Sequence, residues 1–118
     1  MNPEELFGQM LGLGDAWEVT EARYQESEKR FVLRVRETDR LWPRERCPHD
    51  GATGIRCYDH VGDLEWRHLN VFDKECLLVC SLPRGQCGQC GRVYRVTPPW
   101  EGRSRHFTKG FEAFALTL

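Results

Sequence analysis

Two short stretches about forty residues apart have the same shape. Cys87-Gly88-Gln89-Cys90-Gly91 sets two thiols three residues apart with a glycine behind them. Cys47-Pro48-His49-Asp50-Gly51 repeats the offset and the trailing glycine, with Asp50 where the second cysteine would stand. In a tight turn, side chains three residues apart can both aim at one tetrahedral ion, and the glycine permits the left-handed backbone that closes the turn. One ion shared by both turns would force two distant hairpins to face each other. No other feature of the chain restricts its fold as strongly.

The chemistry points to Zn²⁺ with Cys47, Cys87 and Cys90 as ligands, in the manner of a zinc ribbon. Asp50 is the candidate for the fourth position by its offset, since carboxylate oxygen binds zinc at ~2.0–2.2 Å. Such a site is harder and weaker than four thiolates, because zinc is borderline-soft. His49 is a rival with an offset one residue shorter, and water, Cys57 or His60 are further alternatives, as is a site degraded by loss of one cysteine. Cys76 and Cys80 fall on one face of a strand roughly 13 Å apart, at ~3.3 Å per residue, too far for a disulfide. They read as small buried hydrophobes, and so does Cys57. A redox reading of the Cys87–Cys90 pair needs a helix to open there, whereas Arg92-Val-Tyr-Arg-Val96 continues as a strand.

At 118 residues the chain has the length of one domain, with room for a modest core of the kind a metal supplements. No apolar run reaches the ~18–20 residues of a membrane span. The first residues, Met1-Asn2-Pro3-Glu4-Glu5, are acidic where a targeting peptide would be basic, so a cytoplasmic location is expected, where clustered thiols stay reduced. Asn2, Pro3 and Glu5 mark a helix start, and Gly12 and Gly14 its end. Strands are expected over 17–24, 30–37, 54–58, 65–71, 75–82 and 92–97, the fifth central because it is apolar on both faces. Pro98-Pro99 breaks the sheet, and a helical pattern begins at Thr108 and runs to Leu118 without a terminator, as if a longer chain continued. The expectation is an α+β fold, a small mostly antiparallel β domain with a zinc-ribbon-like site, a short N-terminal helix and the start of a C-terminal one. Its parts would be a helix and β-hairpin leader (1–40), the zinc-ribbon-like domain (41–100), and a linker with the start of a helix-turn-helix-type segment (101–118).

The overall net charge of −1 is unevenly spread. Residues 1–28 hold seven acids against Arg23 alone, a net −6, while residues 81–118 carry +4. The basic residues of that last third, Arg84, Arg92, Arg95, Arg103, Arg105 and Lys109, are candidate phosphate contacts, with Arg67 and His68 beside them. A solvated face of mixed charge accounts for the same distribution. His60 and His106 have no nucleophile pattern beside them, so no catalytic group is expected.

The ordered set is Cys47-Pro-x-x-Gly51, Trp66-Arg67-His68-Leu69, an apolar strand, Cys87-x-x-Cys90-Gly91-Arg92, Pro98-Pro99 and Phe107-Thr108-x-x-Phe111-Glu112. It resembles the N-terminal zinc-binding region of the "ISL-three" family of bacterial insertion-sequence transposases, over essentially the whole chain. The resemblance implies a DNA-binding module that helps hold transposon ends, followed in the family by a helix-turn-helix segment and an acidic, metal-dependent catalytic domain. It implies a chain without that domain, hence no enzyme, associating with itself or with a full-length transposase. The family pattern has a cysteine where Asp50 stands. The rival expectation is a structural or protein-interaction zinc ribbon that does not touch DNA.

Overall fold

The computed structural model describes residues 2–71, 73–103 and 108–109. The N-terminal helix α1 spans Pro3–Met10. Asn2 caps it by accepting from the Glu5 amide at 2.8 Å, while its own side-chain amide donates to the Glu5 carboxylate. At the other end the Gly12 and Leu13 amides fold back to the carbonyls of Gln9 and Gly8. Gly12 takes φ +65 to do so, which is the glycine-terminated helix stop anticipated from the sequence.

Seven strands follow: β1 Trp17–Gln25, β2 Arg30–Glu37, β3 Ile55–His60, β4 Leu64–Val71, β5 Lys74–Cys80, β6 Pro83–Cys87 and β7 Val93–Arg95. They form a four-stranded sheet in the order β1-β2-β5-β4 and a three-stranded sheet in the order β3-β6-β7. The result is a small mostly-β domain with one short helix. β5 is the expected central strand, but its neighbour β2 runs parallel to it, Leu33 opposite Leu78. The remaining pairings are antiparallel. The larger sheet thus takes strands from both sides of residue 40, and its last pairing links β2 to a strand that begins after β3 and β4 have been laid down.

β6 was not anticipated. Its sequence, Pro-Arg-Gly-Gln-Cys, lacks the branched and aromatic residues of a typical strand. Pro83 stands at its first position, where a missing amide is tolerated. Gly85 stands where a Cβ would come within 2.6 Å of Ile55 Cγ2 and 3.3 Å of the Tyr94 ring. The absent side chain lets β6 thread between β3 and β7.

The main core collects Leu13, Trp17, Val19, Leu33, Val35, Trp66, Leu78, Leu82, Val96 and Trp100. Cys76 and Cys80 belong to it, fully buried, and burial pushes their thiols up to about 11 and about 12. Neutral, inert thiols are what a core position requires. Cys57 departs from expectation: it is exposed on β3, just before an irregularity between Cys57 and Asp59 that re-aims the outer end of the strand. A second, much smaller cluster consists of Cys47, Ile55 and Cys87 with Trp42, Ala52 and Tyr94 around it.

The Arg67-His68 stretch on β4 holds Thr108. The Thr108 amide donates to the Arg67 carbonyl at 2.9 Å, and His68 Nδ1 and the Thr108 hydroxyl lie 2.7 Å apart. Burial holds the His68 imidazole below its ordinary value of 6.5. A depressed histidine pKa means the folded state keeps the ring neutral. Its contribution to stability is full above pH 6.5 and is lost as pH falls through the folded-state value. An NMR titration of the ring should therefore give a midpoint below 6.5, and Thr108→Val should move it. A midpoint at or above 6.5 contradicts the burial described here.

The helical pattern expected over 108–118 lies outside the described residues except at positions 108 and 109, and Arg105 lies outside them altogether. Among the described residues no helix is long and apolar enough to cross a membrane.

Candidate metal centre

The two similar stretches fold into two similar turns. In the first, the Cys47 amide donates to Ala52 O (3.0 Å) and the Gly51 amide to Cys47 O (2.8 Å). In the second, the Cys87 amide donates to Arg92 O (3.0 Å) and the Gly91 amide to Cys87 O (3.0 Å). Gly51 and Gly91 take φ +73 and +75, conformations that a side chain would strain. In each turn the residue two places on, His49 or Gln89, points its amide at the first sulfur from 3.4 Å. Such N–H groups favour the thiolate form of the sulfur they face.

The turns meet because they terminate paired elements. Cys87 ends β6 and sits opposite Ile55 of β3, while Cys47 follows a short 3-10 turn at Trp42–Arg44. The Tyr94 hydroxyl on β7 donates to Glu45 at 2.7 Å, tying the strand that leaves the second turn to the segment that enters the first.

At the meeting point one ligand atom each from Cys47, Asp50, Cys87 and Cys90 lies within 4.8 Å of all the others. Cys47 Sγ is 3.7 Å from Cys90 Sγ, and Cys87 Sγ is 3.7 Å from both Asp50 oxygens. Two sulfurs each ~2.3 Å from a tetrahedral ion stand about 3.8 Å apart. The observed spacing is near that edge and far beyond a disulfide's ~2.05 Å. None of the six cysteines is in a disulfide. The four residues are therefore a group that could hold a metal ion. Cys47 and Cys87 are buried and Cys90 is exposed, so the site lies at the edge of the fold with one side open to exchange.

Electrostatics within the group differ from residue to residue. The amides of Cys90 and Gln89 hold the Cys87 thiol below its ordinary value. Burial raises that of Cys47 to about 11. The Ala52 amide, 2.9 Å from Asp50 Oδ1, keeps that carboxyl ionised well below its usual range. The same hydrogen bond orients the carboxylate, so Asp50 both closes its own turn and presents oxygen to the sulfurs. His49 is not in the group: its Nδ1 faces Arg92 Nη1 at 3.1 Å. Cys57 and His60 are also outside it, gathered instead with Glu37.

The expected phosphate contacts are scattered in circumstance. Arg84 is bound through Nε and Nη2 to the Asp59 carboxylate and lies over the Tyr58 ring. Arg95 reaches Glu101 at 2.9 Å. Arg92, Arg103 and Lys109 are exposed. The partner of Arg84 was not legible in the sequence, since Asp59 lies 25 residues away and their meeting depends on the β3–β6 register.

Comparison with known protein families, with curated proteins and with solved structures gives no match.

Proposed function

We propose that the chain is a zinc-binding, DNA-binding module of a transposase, of the kind the ISL-three resemblance describes, working in a reducing compartment and carrying no reaction of its own. The observation behind this reading is the convergence of two like turns on three sulfurs and a carboxylate. Three soft donors and one oxygen at tetrahedral spacing suit Zn²⁺ better than Mg²⁺ or Ca²⁺, which take oxygen ligands. Zinc would be held by Cys47, Asp50, Cys87 and Cys90 and would supply no chemistry beyond clamping the two turns.

The exposed Arg92, Arg103 and Lys109 are the leading phosphate contacts under this reading. Arg84 and Arg95 are only half exposed, so they rank lower. With about three phosphates neutralised, log K should fall against log salt with a slope of roughly −2.7, or about 40-fold between 50 and 200 mM. A gel-shift titration on duplex DNA measures this, and Arg92→Gln should reduce the slope by about one. Binding that is absent at low salt, or insensitive to salt, removes the DNA assignment.

The internal ion pairs of Arg84 and Arg95, with the acidic first 28 residues, favour a second reading. In it the module is a structural or protein-interaction zinc ribbon that helps assemble a larger transposase. Zinc binding without DNA binding is the result it expects.

A further inference from the structure

A second constellation of metal-ligand type lies where the two sheets meet, away from the paired turns. Glu37 ends β2 in the larger sheet, while Cys57 and His60 lie on β3 in the smaller one. One ligand atom of each is within 4.8 Å of the other two. On a regular strand, residues three apart point to opposite faces. Here the register shifts between Cys57 and Asp59, and this extra residue turns His60 onto the side of Cys57. Bulges that re-aim a side chain in this way recur beside functional sites.

His60 Nε2 and Glu37 Oε2 are already 2.6 Å apart, and Glu37 is the more enclosed of the two at 14% side-chain exposure. The Cys57 sulfur makes one weak contact, with the Asp59 carbonyl at 3.8 Å, and is otherwise open to solvent. Two of the three, Glu37 and His60, line a groove of about 840 Å³ together with Glu18, Arg34, Thr38 and Ser81. Imidazole nitrogen, thiolate and carboxylate are all zinc donors, and three protein ligands leave a fourth position for water or an incoming group. A simple Glu37–His60 ion pair accounts for two members of the trio and leaves the placement of Cys57 unexplained.

We propose that Glu37, Cys57 and His60 form a second divalent transition-metal site, selective for zinc-like ions, with an open coordination position toward the groove. It is independent of the four-residue centre and does not rest on the transposase reading. An ion there would join the ends of the two sheets, which the first centre, lying wholly within the smaller sheet and its entry loop, does not do. Three ligands with an exposed thiol make it the weaker and more exchangeable of the two.

Native mass spectrometry of the full chain titrated with Zn²⁺, and the sulfur-to-metal absorption of its Co²⁺ form, test the proposal. Two equivalents are expected on the monomer, the second displaced first by a chelator. Cys57→Ser and His60→Gln, both at exposed positions, should each lose the second equivalent and keep the first, and Cys57→Ser should remove part of the Co²⁺ absorption. Cys87→Ser should lose the tight equivalent and, because β3 carries Cys57 and His60 and loosens with it, weaken the second as well. A wild-type chain that takes up a single equivalent overturns the second site, and so does retention of two equivalents in either Cys57→Ser or His60→Gln.

Discussion

Cys87→Ser should abolish tight zinc binding and melt one end of the molecule while sparing the other. Serine removes the sulfur that accepts two turn amides, from Gln89 and Cys90, and faces Asp50 across the centre. The cluster behind it holds only Cys47, Ile55 and Cys87 as buried residues, too few to hold β3, β6 and β7 without help. Structural zinc contributes apparent folding energy of about 10–16 kcal/mol in small zinc-finger peptides at neutral pH, more than such a cluster can replace. Hydrogen exchange should thus show amides of 47–57 and 84–95 losing protection in Cys87→Ser or after chelation. Amides of β4 and β5 should keep theirs, since the thirteen buried residues of the main cluster lie on that side. Asp50→Ala should weaken the tight equivalent by at least the roughly 10–100-fold typical of perturbed ligand shells, and Asp50→Cys should strengthen it. If Asp50→Ala binds zinc as tightly as the wild type, the carboxylate has no place in the centre.

Trp66→Ala should remove a large share of the domain's stability, zinc or no zinc. Trp66 is fully buried on β4, and its ring meets Trp100 edge-on at 5.5 Å, while Trp17 meets the other side of that contact at 5.0 Å. Truncating a buried tryptophan costs about 3–5 kcal/mol, and edge-to-face pairs add about 0.5–1.5 kcal/mol beyond burial. A domain of this size has about 5–15 kcal/mol in total, so one substitution takes about a third to a half of it at mid-range and nearly all of it at the lower end. The same residue's strand neighbours, Arg67 and His68, hold Thr108, so that attachment goes too. Trp66→Phe should be far milder: it retains a ring and removes an indole N–H that is buried without an acceptor among the described residues. Thermal unfolding by circular dichroism separates the cases, with a small fall in midpoint expected for Trp66→Phe and a fall of more than about 10 °C for Trp66→Ala. An unshifted midpoint in Trp66→Ala would mean the three-tryptophan cluster is not what closes the core.

Much of this was readable from local pattern. The helix start at Asn2-Pro3 and its stop at Gly12 depend on a few adjacent residues, and so does each of the two cysteine-bearing turns. β2 announced itself by strict alternation, and β5 by apolar residues on both faces. What local pattern missed has a common cause. β6 is a strand because β3 and β7 flank it, with Gly85 giving the room. Cys57 reads as an apolar strand residue, yet it is exposed, and a bulge just beyond it brings His60 to its side. Glu37 carried no signal at all, being one acid at the end of a strand in the other sheet.

The sequence by itself determined that two turns of like geometry exist, that each offers ligands at an offset of three, and which residues those are, because hydrogen bonds within five residues build each turn. Tertiary structure alone decided that Asp50 joins the three sulfurs while His49 turns to Arg92, that Arg84 spends its charge on Asp59, and that β2 and β5 run parallel. Those outcomes rest on strand register and sheet order, in which residues twenty to fifty positions apart come together, and no short-range pattern encodes such distances.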